Sequence, residues 1–282
     1  MVVSLLQPPT KFPREDSRGG RSKLLATATT RRMPWLRVFS NHQRNSLPRH
    51  LPLHILSLNQ QSLSLNVTCM SNPEHIRKTY HHGELNRSHL TADPIDLFRQ
   101  WWKEVLDANL GEPNAMTLAT VGTNHQPSAR TILLKGISEH GFEFYTNYQS
   151  RKAMEMEQNP NVALLFFWKE LERQVRIEGR VEKVSRQRSQ EYFQSRPLGS
   201  QIGAWASPQS KVIEDRSVLD DAVTRIEEKF IGQDPLPVPD HWGGYIVRPH
   251  LFEFWQGRPD RLHDRFEYIL ENKGWKIQRL AP

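Results

Sequence analysis

The stretch "FWQGRPDRLHDR", residues 254–265, places Arg261, His263 and Arg265 within five positions, behind Trp255 and Gly257. Asp264 is the one acid between the last two bases. Guanidinium groups hold phosphate or carboxylate with paired hydrogen bonds, and an imidazole orients a substrate or moves a proton near neutral pH. Beside a broad aromatic ring, this set suits a flat, anionic ligand. In a regular strand the three bases point one way, with Leu262 and Asp264 opposite. The blander reading is a basic edge strand with no catalytic part.

Similar side chains recur upstream. "ARTILLKG" puts Arg130 and Lys135 at the two ends of an apolar strand. Five positions apart, they face opposite sides and grip different anions, unless a bulge intervenes. "TNYQSRK" groups Ser150, Arg151 and Lys152 after a strand and before the helix-like "AMEMEQ". A hydroxyl, a guanidinium and an ammonium at a helix start form a phosphate cradle, although a solvated turn would use the same residues. In "EYFQSRPLGSQIGAWAS", Tyr192, Arg196 and Ser200 recur every four residues. The first two share a helical face, and Ser200 follows a Pro-Leu-Gly break. "WASPQS" adds Gln209 and Ser210, an amide and a hydroxyl in a loop. Gln174, inside a strand, is either a surface residue or an amide presented to the edge of a heterocycle. No G-x-G-x-x-G, Walker loop, H-E-x-x-H or G-x-S-x-G occurs, and the adjacent His81 and His82 read as a surface pair, not metal ligands.

The elements that must position these groups run helix, strands, helices, strands. "TADPIDLFRQWWKEVL" opens with Asp93 as N-cap and Pro94 at the first helical position, and Ile95, Phe98, Trp102 and Val105 recur at helical spacing. "AMTLATV", "ARTILLKG", "GFEFYTN" and "RQVRIEGRVEKV" read as strands. "NVALLFFW" is continuously apolar and so predicts a strand buried on both faces. "SQEYFQSR" is a helix. A longer one, "SVLDDAVTRIEEKF", sets Leu219, Ala222, Val223, Ile226 and Phe230 on one face. "GGYIVRP", "LFEFWQG", "FEYILE" and "WKIQRL" close the chain as four strands. Closely spaced antiparallel strands with few crossover helices predict a β-barrel with attached helices.

Charge divides the chain. Residues 1–69 hold 10 of the 38 Lys plus Arg but 2 of the 31 acids, so the remaining 28 bases face 29 acids. The formal net charge of +7 therefore resides in the first quarter. A nucleic-acid footprint belongs on the folded part, and a near-neutral body argues against nucleic-acid binding. The first 69 residues read as a disordered basic extension, either upstream of a natural start at Met70 or an organellar transit peptide. Residues 70–282 form the expected domain. One cysteine, Cys69, excludes an internal disulfide and fits a reducing, cytoplasmic setting, or an organelle if the extension is a targeting signal. No apolar run is long enough to span a bilayer.

From about residue 72 to the end, "RTILLKG", "FYTNYQSRK", "LERQVRIEG", "YFQSRPLGSQIGAWAS", "WGGY" and "FEFWQGRPDRLHDR", with the terminal "WKIQRLAP", resemble the pyridoxamine (pyridoxine) 5′-phosphate oxidase family. The resemblance implies a homodimeric split β-barrel, mainly β with flanking helices, binding FMN in clefts between subunits. It implies oxidation of pyridoxamine or pyridoxine 5′-phosphate to pyridoxal 5′-phosphate, with dioxygen as acceptor, hydrogen peroxide as product and no metal. Carried over by position, the flavin contacts are Arg130, Thr131, Ile132, Leu133, Tyr145, Thr146, Arg151, Lys152, Gln174, Gln209, Ser210, Trp255 and Arg265. The substrate phosphate falls to Lys135, Tyr192, Arg196 and Ser200. Arg261, Leu262 and His263 form the substrate segment, with Arg261 and His263 at the reacting carbon. Arg77 and Tyr80 lie in an N-terminal segment that covers the substrate. The competing class is a split-barrel flavin reductase or a flavin-binding module without oxidase activity, which has no use for the second anion site.

Overall fold

A computed structural model describes residues 72–282, so the extension over 1–69 and the proposed start at Met70 lie outside the described residues. The first helix, α1 (Pro94–Asp107), begins as its sequence dictates: the Asp93 carboxylate accepts the Ile95 N–H at 2.8 Å, and Pro94 occupies the first turn. Its buried side is Ile95, Leu97, Phe98, Trp101 and Val105; Trp102, expected on that face, is only partly covered. Phe98 is fully buried, with Phe142 and Phe166 rings at 4.8 and 5.1 Å. Helix α1 thus closes the core.

Nine strands form one antiparallel sheet: β1 (Ala115–Val121), β2 (Pro127–Leu133), β3 (Gly136–Ser138), β4 (Gly141–Asn147), β5 (Asn161–Trp168), β6 (Arg173–Lys183), β7 (Trp242–Gln256), β8 (Asp264–Glu271) and β9 (Gly274–Leu280). The order is β2-β1-β5-β6-β7-β4-β3, with β8 on β7 and β9 on β8. The two ends of that order, β2 and β3, are joined by Leu134 and Lys135 alone. A flat sheet would hold them about 29 Å apart, six strand spacings, whereas the link reaches about 10 Å. The sheet must therefore curl into a barrel, with Lys135 at its seam. Leu134 N–H bonds the Asn114 carbonyl on one side of the seam (2.9 Å), and Lys135 N–H bonds the Glu143 carbonyl on the other (2.8 Å). The single strand expected to carry both Arg130 and Lys135 thus ends at Leu133, and Lys135 lies in the two-residue link to β3.

Three further expectations are corrected. "NVALLFFW" is buried on one face, not two: Val162, Leu164, Phe166 and Trp168 point inward, while Phe167 is 51% exposed. "GGYIVRP" and "LFEFWQG" are one strand, β7. Pro249 does not break it, because the β6–β7 register shifts between Glu178 and Gly179 and the proline sits at the resulting bulge. Gly179 is required there: a Cβ would lie 2.4 Å from the Arg248 carbonyl oxygen. The Pro-Leu-Gly "break" instead starts a helix.

Helices α2 (Arg151–Gln158), α3 (Arg186–Gln194), α4 (Leu198–Ala206) and α5 (Ser217–Lys229) flank the barrel. A second core packs Phe193, Ile202, Leu236 and Trp242 together. The predicted face of α5 turns toward this cluster through Val223, Ile226 and Phe230, but no residue of the helix is fully buried. No helix among the described residues is long and apolar enough to cross a membrane.

Candidate functional site

The predicted bases gather in separate places, and a carboxylate holds three of them, Arg130, Arg151 and Arg265. At the start of α2, the Glu155 carboxylate accepts Arg151 Nε at 2.8 Å and Arg130 at 3.0 Å, together with the Thr120 hydroxyl. Burial would raise this carboxyl, but the bonds from Thr120, Arg151 and Arg130 more than reverse that and hold it below the usual range. Next to it, Lys152 Nζ meets the Gln209 side-chain oxygen at 2.7 Å and Thr146 Oγ1 at 3.3 Å. Both partners are neutral, and no carboxylate lies within ion-pair range of Lys152 among the described residues. Burial, then the Arg130 charge, lowers its pKa, with Glu155 opposing. Ser150 Oγ, directly before α2, is buried without a partner. A desolvated ammonium and an unpaired hydroxyl at a helix start fit a phosphate. Arg130, Thr146, Arg151, Lys152 and Gln209 therefore come together as expected, while Ser210 is exposed at a left-handed φ of 69°.

A second group stands on the other side of β4. The rings of Tyr145 and Tyr192 stack at 3.9 Å, and Trp242 continues the stack 5.6 Å from Tyr145. The Arg196 guanidinium lies 4.8 Å over Trp242, and one of its terminal nitrogens is buried with no hydrogen-bond partner. Burial lowers its pKa and raises that of Tyr192. Leaving a charged donor buried and unpaired is costly, so this site also suits an anion. Arg196 does not continue the helix of Tyr192, as the spacing suggested. Helix α3 ends at Gln194, Arg196 lies between helices, and Ser200 is exposed in the first turn of α4. Lys135 is exposed at the seam and lines a different hollow with Trp102 and Ile137.

A third group forms a cleft of about 780 Å³. Its floor is one cross-strand row on the outer face of the sheet: Phe167, Gln174 and Trp255. One wall is the segment from Ile76 to Tyr80, the other the turn from Arg258 to His263. That turn corrects the strand reading of "RPDRLHDR". Pro259–Arg261 is a 3-10 turn, Asp260 and Arg261 have φ of 55° and 62°, and β8 begins only at Asp264. Arg261 and His263 still line the cleft, but Leu262 points away and is 69% exposed. Arg265 belongs to the sheet row beside Trp255, bonded to the buried Glu253 (2.7 Å) and to the Ala281 carbonyl (2.8 Å). His263 Nδ1 accepts the Arg258 N–H at 3.1 Å, so the neutral ring carries its proton on Nε2. Burial first, then Arg261, lowers the His263 pKa; Asp264 opposes.

Thr131 and Leu133 face outward on edge strand β2, whereas Arg130 and Ile132 pair with the inward Leu118 and Met116. Sequence reasoning missed the acids that tether the bases: Glu143, Glu155, Glu172 and Glu253. Glu155 was open to discovery, four residues after Arg151 on one helix. Glu253 was not, because its pairing with Arg176 and Arg265 arises across strands. Among the described residues, no group of three or more His, Cys, Asp or Glu side chains could hold a metal.

A curled antiparallel barrel whose cations are held ready for anions beside an aromatic-floored cleft defines an FMN-binding split β-barrel. Residues 102–230 match a family model described as pyridoxamine 5′-phosphate oxidase, and residues 242–282 match the pyridoxine 5′-phosphate oxidase C-terminal dimerisation region. A pyridoxine/pyridoxamine 5′-phosphate oxidase of Salinibacter ruber is 53% identical over 215 residues, covering 76% of this chain and all of that one. A protein of the same name from Cupriavidus pinatubonensis is 56% identical over 208 residues, covering 73% and 97%. Among solved structures, PhzG from Burkholderia lata, in complex with tetrahydrophenazine-1-carboxylic acid, superposes with a TM-score of 0.66 at 28% identity, covering 70% of this chain and 98% of that one. The chain belongs to the pyridoxine/pyridoxamine 5′-phosphate oxidase family of FMN-dependent enzymes.

The cradle gives a direct expectation. Arg151→Ala should weaken FMN binding about tenfold, the loss of roughly 1.5 kcal/mol for one charge-assisted hydrogen bond at a half-open position. Fluorescence titration of the apoprotein with FMN measures it, and an unchanged dissociation constant would remove Arg151 from the cradle.

Proposed function

We propose that this enzyme oxidises pyridoxamine 5′-phosphate and pyridoxine 5′-phosphate to pyridoxal 5′-phosphate, reducing dioxygen to hydrogen peroxide and releasing ammonia from the amine. The observation that carries this reading is the presence of two anion sites, one at Lys152 and Ser150 and one at Arg196, each lacking a carboxylate partner. One suits the phosphate of FMN and the other the phosphate of a substrate. A reductase or a passive flavin-binding module needs the first alone.

One chain does not bring these parts together. Tyr145 and Thr146 pair with Gly244 and Gly243 at one end of β7, and Trp255 lies at its other end. Eleven residue steps along the strand separate Gly244 from Trp255, about 35 Å if straight. A ligand that touches both the Arg196 site and the His263 cleft therefore takes them from two subunits. This agrees with the dimerisation region matched over residues 242–282.

Bound FMN would supply the hydride acceptor and the route of electrons to dioxygen. The protein orients and excludes. Arg196 and Tyr192 hold the substrate phosphate remote from the reacting carbon, and that binding energy fixes alignment at the ring. Lys135, exposed at the seam, and Ser200, exposed in the first turn of α4, join that phosphate on the family pattern alone. Arg261 holds an anionic ring oxygen. His263, neutral and protonated on Nε2, donates a hydrogen bond that orients the substrate. Its pKa is lowered, so protonation of Nδ1, which breaks the bond from the Arg258 N–H that orients the ring, sets in below the ordinary imidazole range; activity holds above that pKa and falls as pH drops through it. A pH profile of kcat/KM should show this acid limb, absent from His263→Ala.

Anaerobic addition of pyridoxamine 5′-phosphate to the yellow holoenzyme should bleach the flavin. Readmitted air should restore the colour, with pyridoxal 5′-phosphate and hydrogen peroxide in equal amounts. A flavin that stays oxidised refutes the proposal.

A further inference from the structure

The segment Arg77–Gly83, which walls the cleft as far as Tyr80, forms a strap whose bonds converge on one carboxylate that the reaction does not use. Glu172 stands in the turn between β5 and β6 with a φ of 54°, an unusual conformation for a residue with a side chain. It is 5% exposed. Its Oε2 accepts the His81 N–H at 2.7 Å and the His82 N–H at 2.9 Å, and its Oε1 meets Lys78 Nζ at 3.0 Å. Its backbone carbonyl accepts the Gly257 N–H at 2.7 Å, which ties the same turn to the base of the Arg258–His263 wall. Gly257 in turn seats the strap. A Cβ there would lie 2.8 Å from Tyr80 Cγ, so the tyrosine rests on bare backbone. From that seat Tyr80 meets Trp255 edge-on at 5.8 Å and His263 at 5.9 Å.

We propose that Glu172 is the latch of this strap: by gripping two successive backbone amides and Lys78, it holds Arg77 and Tyr80 over the cleft. It is a positioning residue, because it touches the strap and not the ligand. The geometry separates it from an ordinary surface ion pair. A carboxylate accepting two backbone N–H groups and an ammonium is fixed in direction, and it fixes in turn the segment that donates. Burial would raise the carboxyl, but the bonds from His82, Lys78 and His81 outweigh it, so the latch is ionised at neutral pH. Arg258 NH1 adds a bond to the Gly83 carbonyl at 3.2 Å, and Asp264 accepts the Leu85 N–H at 3.1 Å. The first falls at the last residue of the strap and the second beyond it. Between Arg77 and His82, Glu172 is the one side chain outside the segment that bonds its backbone among the described residues.

The effect on turnover rests on the reaction proposed above; the effect on the strap does not. Two variants of the full-length holoenzyme test the latch. Glu172→Gln keeps the shape but loses the charge. Gly257→Ala keeps the Glu172 carboxylate but crowds Tyr80 Cγ at 2.8 Å and Glu172 Cβ at 3.0 Å, so it loosens the strap at its seat. Limited trypsin digestion, followed by mass spectrometry of cleavage after Arg77 and Lys78, reads the strap without substrate. Both variants should be cut there at least fivefold faster than the parent, with flavin content and thermal midpoint near parental values. Both should raise KM for pyridoxamine 5′-phosphate about tenfold, and the double variant should resemble either single one, because both release one segment. Parental cleavage and KM in Glu172→Gln would overturn the proposal. So would loss of FMN or a collapsed thermal midpoint, which would make Glu172 a general structural support. If the parent enzyme shows no oxidase activity, the reaction assignment fails while the cleavage rates still decide the latch.

Discussion

Replacing Arg261 with lysine is expected to slow anaerobic flavin reduction by pyridoxamine 5′-phosphate about ten- to a hundredfold, equivalent to about 1.4–2.7 kcal/mol. FMN content should stay normal, because the cradle at α2 shares no residue with the cleft. The substitution keeps the charge and removes the planar fork. Arg261 is exposed, and no carboxylate pairs with it among the described residues, so little in the protein compensates for a changed head group. Its left-handed φ of 62° aims the side chain from the tip of a turn, where position depends on the side chain's own reach. His263→Ala should cost a similar amount through a different route, the loss of a donor whose tautomer Arg258 fixes. Stopped-flow absorbance measures both. Parental reduction rates with unchanged substrate dependence would place neither residue at the reacting centre.

These two residues also show where sequence is legible and where it stops. Their membership of one cleft was readable from the density of bases beside Trp255. The reason for it was not. Alternation in a strand was the simplest account of the spacing, and it fails because Pro259 and two left-handed residues make a turn before β8. The start of helix α1 was readable to the residue, since Asp93 and Pro94 act locally, but its buried face was not, because Trp101 and not Trp102 turns inward. The outline of the barrel was readable too, from short alternating runs. Its closure through Leu134 and Lys135 was not, because strand order is a long-range property. The same holds for the acids. Glu155 lies within one helical turn of Arg151, whereas Glu172 grips residues about ninety positions away and Glu253 acts across three strands. Bases announce a ligand by type, but the carboxylates that aim them are indistinguishable in sequence from solvated surface residues.

Arg196→Ala should raise KM for both phosphorylated substrates about ten- to a hundredfold, the loss of roughly 1.5–3 kcal/mol for a charge-assisted bond to phosphate. The size follows from the burial of the guanidinium: its unpaired nitrogen makes no bond in the free protein, so little is sacrificed when phosphate arrives. Flavin affinity should not change, and turnover of unphosphorylated pyridoxine should be unaffected. Equal losses with and without the phosphate would deny Arg196 that contact. The same variant tests whether the site spans two chains. Arg196 and His263 lie at opposite ends of β7, so a composite site draws one from each subunit. In a mixed dimer of Arg196→Ala with His263→Ala, one site then carries both lesions and the other carries neither. Random reassembly of equal amounts should restore about one quarter of the sites to parental KM and reduction rate. A site built within a single chain would carry one lesion in every copy, and mixing would restore nothing.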